Sequence, residues 1–278
     1  MTVPDQQPIG LIADSHGNLE ATAEAIRLLK GRGAGLIVHL GDFCDSIRRD
    51  GAAAMISLLE DHGVLAVKGN NDFLVENMLA DGRRPKTPEG ERASAFLKTV
   101  PVMRALGGIR FAHSLPIDSL RSFYTPIDTG DTRRAVQVFA EADFQILFCG
   151  HSHLPALFRE VNGRVTRETM GAGGRIVLPT GREEGPPRAA AWTGSTGISA
   201  PAGGLGAVLD LLDLPGERGA KARTDRTDAI ATREWEAASR EGSAATQRFI
   251  VVVGAADDGE CALYDRAAGA YERLRIFT

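Results

Sequence analysis

The segment Asp14-Ser15-His16-Gly17-Asn18 sets a carboxylate and an imidazole two residues apart, directly after the apolar run Ile9 to Ala13. Alone, Asp-x-His is common in loops. Four further segments of the same character follow: Gly41-Asp42, Gly69-Asn70-Asn71-Asp72, His113, and Gly150-His151-Ser152-His153. Together they supply Asp14, Asp42, Asn70, His16, His113, His151 and His153: two carboxylates, one carboxamide and four imidazoles. Oxygen plus imidazole nitrogen, without thiolate, suits Mn²⁺, Zn²⁺ or Fe and is too nitrogen-rich for Ca²⁺ or Mg²⁺. Seven side chains are too many for one such ion and fit two if one carboxylate bridges. Two divalent cations against two carboxylates leave a positive site that attracts phosphate.

Each segment follows, or ends, a short apolar run of strand length: residues 9–13, 35–40, 64–68, 109–113 and 144–149. The runs are continuous rather than alternating, which predicts strands covered on both faces. Helical patterns lie between them. One starts after Asn18 as N-cap, one spans AAAMISLLEDHG and ends at Gly63, one follows Thr87-Pro88, and one follows Asp131 as N-cap. Alternating strands and helices predict an α/β architecture with a largely parallel sheet in this part of the chain. In such a sheet the carboxyl ends of the strands line one crevice, so the five segments should converge.

Bulk properties exclude several classes. The chain has 278 residues and a formal net charge of −4, with no concentrated Lys/Arg run, so neither nucleic acid nor an anionic membrane is an expected partner. Cys44, Cys149 and Cys261 are widely spaced, which argues against a disulfide framework or a zinc knuckle and fits a reducing compartment. The polar start MTVPDQQP lacks the pattern of a leader, and no apolar stretch is long enough to span a bilayer. The expected compartment is the cytoplasm. The region from about 181 to 247 is rich in Gly, Ala, Pro, Ser and Thr and reads as an insertion within a single domain of residues 1–278, because the apolar runs that follow need a sheet to join. Within it, residues 228–242 read as a charged surface helix.

The ordered set D-x-H-G-N, G-D, G-N-x-D, a lone His and G-H-x-H resembles the calcineurin-like metallophosphoesterases, and especially their small bacterial phosphodiesterase branch. The resemblance covers roughly residues 9 to 180. It implies an α/β sandwich of two mixed sheets flanked by helices, and two divalent cations, with Mn²⁺ favoured over Zn²⁺ or Fe. Asp14, His16, Asp42 and His153 would hold one ion; Asp42, Asn70, His113 and His151 would hold the other, with Asp42 bridging. The activity implied is phosphoester hydrolysis by a metal-bridging hydroxide. Asp42, Asn70 and His113 are the expected catalytic residues, and Asn18 and Asn71 the expected substrate contacts. The expected partners are a small phosphoester and further copies of the chain.

Two departures from the family pattern bear on substrate. Where many phosphatases of the superfamily carry a histidine that protonates the leaving oxygen, this sequence has Asn71, whose amide cannot serve as a general acid. General-acid catalysis is typically worth ~10²–10⁴-fold, so phosphodiesters with good leaving groups are the favoured substrates. The alternatives are a phosphomonoesterase or nucleoside-polyphosphate hydrolase, and a scaffold of the same fold that binds partners. PTGREEGPPR (179–188) matches only partly the family's stretch at that place, so Arg182 and Arg188 are not assigned a phosphate contact. Of the remaining candidates, His39 reads as packed within its strand, His62 as a helix-end residue, Cys44 as an inert buried thiol, Asp72 as a support for a ligand, and Gly171–Gly174 as a tight connection.

Overall fold

The computed structural model describes residues 7–47, 51–116, 124–171, 173–178 and 247–277. The first half of the chain runs β1 (Ile9–Ile12), α1 (Leu19–Gly31), β2 (Leu36–His39), α2 (Ala52–Asp61), β3 (Leu65–Ala66), α3 (Asn70–Ala80) and α4 (Pro88–Thr99). It continues through β4 (Met103–Leu106), β5 (Ile109–Ala112), α5 (Arg133–Glu141), β6 (Ile146–Cys149), β7 (Ala156–Val161), β8 (Arg164–Thr169) and β9 (Arg175–Val177). After the gap come β10 (Gln247–Val252), β11 (Glu260–Asp265) and β12 (Ala270–Arg275). The described residues all lie within one unit, Met1–Ile198 with Gln247–Thr278. The expected insertion at 181–247, its charged helix and Arg182 and Arg188 fall outside them, apart from Gln247.

The strands form two six-stranded mixed sheets. One has the order β3-β2-β1-β11-β12-β9, with β3, β2 and β1 parallel and the rest antiparallel. The other has the order β4-β5-β6-β10-β7-β8, with β5, β6 and β10 parallel at its centre. The five apolar runs therefore do not share one largely parallel sheet. Three build the parallel half of the first sheet and two enter the second, where β10 from the end of the chain joins them. The mixed sandwich implied by the family resemblance is the architecture found.

Continuous apolar runs make sense in this layering. The inner faces of the sheets meet through Leu11, Val38, Phe111, Phe148, Phe249, Val251, Tyr264 and Tyr271, all buried. The Phe148 ring lies 5.2 Å from that of Tyr264 and 6.0 Å from that of Tyr271. The intervening residues of the same strands face outward and are covered in turn. Ile26 and Leu29 of α1, Met55 and Leu59 of α2 and Leu97 of α4 cover the first sheet. Ala135, Val138 and Phe139 of α5 pack on Leu147, Phe158 and Ile250 of the second. Each large apolar side chain buried in this way contributes roughly 1.5–3 kcal/mol.

Asn18 and Thr87 cap α1 and α4 as expected, their side chains accepting from Ala21 N and Gly90 N at 3.1 Å each. The cap of α5 is Thr132 rather than Asp131, although Asp131 Oδ1 still accepts from Arg133 N. Helix α3 has no counterpart among the sequence expectations. Its first turn begins at glycine, with no capping side chain, and its buried face is Asp72, Phe73 and Val75, so a buried carboxylate breaks the apolar stripe that marks a helix.

Candidate metal centre

The parallel strands of both sheets end at one place, and backbone bonds continue their pairing into the loops beyond. Asp14 N donates to Gly41 O (3.1 Å), His16 N to Asp42 O (2.8 Å) and Gly17 N to Phe43 O (3.0 Å), joining the loop after β1 to that after β2. Gly150 N donates to His113 O at 3.0 Å, doing the same for β5 and β6. His151 N donates to Asp14 Oδ2 at 2.9 Å, which ties one sheet to the other.

The loops turn sharply enough to use left-handed backbone. Among the described residues, six that are not glycine have positive φ, and five of them are Asp14, His16, Asp42, His151 and His153. Strain of this kind costs of order 1–3 kcal/mol per residue, and its concentration here marks a site whose geometry matters more than its stability. Two glycines are required by space. A Cβ on Gly69 would lie 2.1 Å from Asp42 Oδ1, and one on Gly150 would lie 2.5 Å from Asp14 Oδ2.

Within this frame the candidate ligands fall into two groups, Asp14, His16 and His153, and Asp42, His113 and His151; in each, the ligand atoms lie within 4.8 Å of one another. His16 Nε2 and His153 Nε2 are 3.1 Å apart, and His153 Nε2 is 3.6 Å from Asp14 Oδ1. In the second group His113 Nδ1 sits 3.0 Å from the Leu40 carbonyl oxygen, which can only accept, so Nδ1 carries the ring proton. The lone pair on Nε2 then faces His151 Nδ1 at 3.0 Å, Asn70 Oδ1 at 3.0 Å and Asp42 Oδ2 at 3.6 Å. His151 can relieve one contact by donating, but the two oxygens remain acceptors facing an acceptor. A cation relieves all of them at once. Asp42 stands between the groups, its Oδ2 also 4.0 Å from His16 Nε2. The donor set thus fits two divalent ions, and all seven residues singled out from the sequence converge here.

Burial raises the cost of charge on Asp14, Asp42, His113 and His151. Burial and the nearby Asp42 carboxylate push Asp14 well above the usual carboxylate range, against the His151 N–H bond that lowers it. Burial works on Asp42 too, but His113 and the two bonds from Asn71 outweigh it and hold its carboxyl low. Burial, then His113, brings His151 down to about 3, and burial also lowers His113. Neutral imidazoles are the form that binds metal.

The supporting residues are as specific as the ligands. Asp72 is buried and accepts from Asp42 N (2.8 Å), Gly69 N (2.9 Å) and Cys44 N (2.8 Å), so one carboxylate holds the loop after β2 against the start of α3. Burial and Asp42 push it up to about 8. Asn71 grips both oxygens of Asp42, through its backbone N at 2.8 Å and Nδ2 at 2.7 Å, while its Oδ1 accepts from Ser46 Oγ. Asn18 is engaged at both ends of its amide, capping α1 and donating to Asp257 Oδ1 at 2.9 Å. His39 is packed: Nε2 lies 2.8 Å from Ser15 Oγ, and burial brings it down to about 3. Cys44 is buried and pushed well up by that burial, and His62 caps the end of α2. Gly174 N donates to Gly171 O, a tight connection.

Sequence reading missed Asp257 and Asp258. Both belong to the turn between β10 and β11, and His153 Nδ1 lies 3.7 Å from Asp258 Oδ2. The signal was present: Val251-Val252-Val253-Gly254 is another apolar run ending at glycine, with acidic residues three positions on.

Comparison with known proteins agrees with this geometry. The family model of the calcineurin-like phosphoesterase superfamily domain matches residues 8–183. The chain belongs to this superfamily. A metallophosphoesterase from Sphaerobacter thermophilus superposes on this superfamily member with a TM-score of 0.59 at 16% identity, over 98% of this chain and 89% of that one. The phosphoesterase Yfce from E. coli is 22% identical over 53% of this chain and 71% of that one, with a TM-score of 0.33. The protein TT1561 of Thermus thermophilus is 14% identical, over 98% of this chain and all of that one, with a TM-score of 0.40. The Sphaerobacter likeness shows the fold; the other two superpose too loosely to add to it. No curated protein matches in sequence. Membership and the two candidate metal groups together support metal-dependent phosphoester hydrolysis. Among the described residues no helix is long and apolar enough to cross a membrane.

Proposed function

We propose that the chain is a phosphodiesterase with a dinuclear centre, held by Asp14, His16, Asp42 and His153 on one side and by Asp42, Asn70, His113 and His151 on the other. The observation that carries the reading is the position of Asp42, between two groups of converging acceptors, with Oδ2 3.6 Å from His113 Nε2 and 4.0 Å from His16 Nε2. Two bound divalent ions, Mn²⁺ in our reading, would polarise the attacking water and neutralise the phosphoryl oxygens during in-line displacement.

The chain's own residues then have defined tasks. Asn71 fixes the carboxylate plane of Asp42 by two hydrogen bonds, and Asp72 fixes its backbone. His113 is oriented by the Leu40 carbonyl, which leaves Nε2 unprotonated and aimed inward. Asn18, two residues from His16, is assigned the outer substrate contact through the second hydrogen of its Nδ2, the first being donated to Asp257. Asn71 stands where superfamily phosphatases place their histidine acid, and its amide is engaged with Asp42 and Ser46. A leaving group that departs without a proton suits this arrangement. Buried free cysteines at 44, 149 and 261 support a cytoplasmic setting.

The test is hydrolysis of bis-p-nitrophenyl phosphate beside p-nitrophenyl phosphate, on chelated protein reconstituted with Mn²⁺. We expect the diester to be hydrolysed at least about tenfold faster and only with metal, the low end of what a missing general acid is worth. Faster monoester hydrolysis would show that another group supplies the proton, and would overturn the diester reading.

A further inference from the structure

The turn between β10 and β11 comes from the far end of the chain, yet it is fastened to the loop that begins the metal centre. Ala256 N donates to Ala13 O at 2.7 Å and Asp257 N to Asp14 O at 3.3 Å, while Asn18 Nδ2 donates to Asp257 Oδ1 at 2.9 Å. The turn itself is closed by Asp258 N to Ala255 O and Gly259 N to Ala256 O. These five hydrogen bonds fix the backbone from which the Asp258 side chain projects. Its carboxylate, 63% exposed, lies 3.7 Å from His153 Nδ1, an ion-pair separation just beyond hydrogen-bond length, on the side of the ring opposite Nε2.

His153 is a ligand that such a partner can orient. His113 has its outer nitrogen fixed by the Leu40 carbonyl, whereas His153 is half-buried on a left-handed residue at the rim. Its Nε2 faces His16 Nε2 at 3.1 Å and Asp14 Oδ1 at 3.6 Å, so it must present a lone pair there to serve as a ligand. In a neutral ring that puts the proton on Nδ1, facing Asp258. A carboxylate behind a ligating histidine fixes the tautomer and raises the basicity of the other nitrogen.

We infer that Asp258 is a positioning residue, which holds His153 in the Nδ1-protonated form and thereby tightens the metal position shared by Asp14, His16 and His153. The inference rests on the dinuclear reading above. It differs from that reading in placing a functional carboxylate outside the segment of the chain that carries the family motifs, in the β10–β11 turn.

Two measurements on Asp258→Asn test it, with Asp258→Glu as the conservative variant. The first is nitrogen-15 NMR of the histidine side chains in metal-free protein. We expect wild-type His153 to be mainly Nδ1-protonated, the asparagine variant to shift towards the other tautomer, and the glutamate variant to recover. The second is Mn²⁺ titration followed by the EPR signal of the free ion. One of two bound ions should weaken about tenfold and the other should not change, within the roughly 10–100-fold attached to residues behind a metal ligand. An unchanged tautomer, or equal weakening of both ions, overturns the role given to Asp258. A tautomer shift in a protein whose wild type binds no Mn²⁺ would instead sink the dinuclear reading, along with the metal part of this inference.

Discussion

Replacing Asp42 by alanine should empty both metal positions. Asp14 Oδ1 also lies 3.9 Å from His113, but at the protonated Nδ1, whereas Asp42 Oδ2 lies within 4.0 Å of a nitrogen free to bind metal in each group. Bound Mn²⁺ should fall to less than one ion per chain, and hydrolysis by on the order of a thousandfold or more. The loss should exceed the roughly 10–100-fold typical of residues that only support a ligand. The metal-free fold should survive, because the substitution removes one of two neighbouring buried carboxylates, which offsets the bonds lost to Asn71. Those lost bonds cost about 1–3 kcal/mol if the donors stay dry. Asp42→Asn, which keeps the shape, should separate charge from packing and lose metal as well. Atomic spectrometry on dialysed protein and urea unfolding check these outcomes; retention of both ions would show that Asp42 does not bridge.

The second large effect comes from a residue with no side chain. Gly69 has φ −98°, which any residue can adopt, so only space keeps it glycine. A methyl there would sit 2.1 Å from Asp42 Oδ1 and 2.4 Å from Asp42 N. Asp42 cannot retreat without breaking its N–H bond to Asp72, and Gly69 N is held by the same carboxylate. Gly69→Ala should therefore cost about 1–3 kcal/mol of stability as overpacking. It should cost about 10² in rate as well, since a misplacement of about 1 Å at a reacting centre has that effect. Gly31→Ala is the control: nothing lies within 4 Å of a Cβ there, so neither stability nor hydrolysis should fall. Wild-type activity in Gly69→Ala would mean that the close packing at Asp42 has no functional weight.

Much of the site could be read from the sequence because each ligand follows the end of an apolar strand within one to four residues. Strand ends in such a fold lie together, so Asp14, Asp42, His113 and His151 converge whichever sheet holds them. The division between two sheets was less visible. Parallel runs buried on both faces look alike in either sheet, and what separates them is the return of β10, which pairs with β6 across about a hundred residues of intervening chain. The half-exposed strands β7 and β8 mix charged and apolar residues and gave little signal. Helix α3 was hidden because Asp72 takes a core position in its first turn. Asp258 was hidden because its role comes from tertiary contact, through a turn joined to the β1 loop by backbone bonds and Asn18. The Asn71 amide was legible as the absence of an acid, but not as the clamp on Asp42 that the structure places there.

The central claim is that the converging loops hold two metal ions per chain and that hydrolysis depends on both. It is tested most directly by equilibrium dialysis of the chelated protein against Mn²⁺, with bound metal counted by mass spectrometry beside the rate of bis-p-nitrophenyl phosphate hydrolysis. We predict saturation at about two ions per chain, as a two-metal site requires, with hydrolysis appearing only as the second ion binds. Saturation at one ion or none, or hydrolysis that persists in chelator, would contradict it.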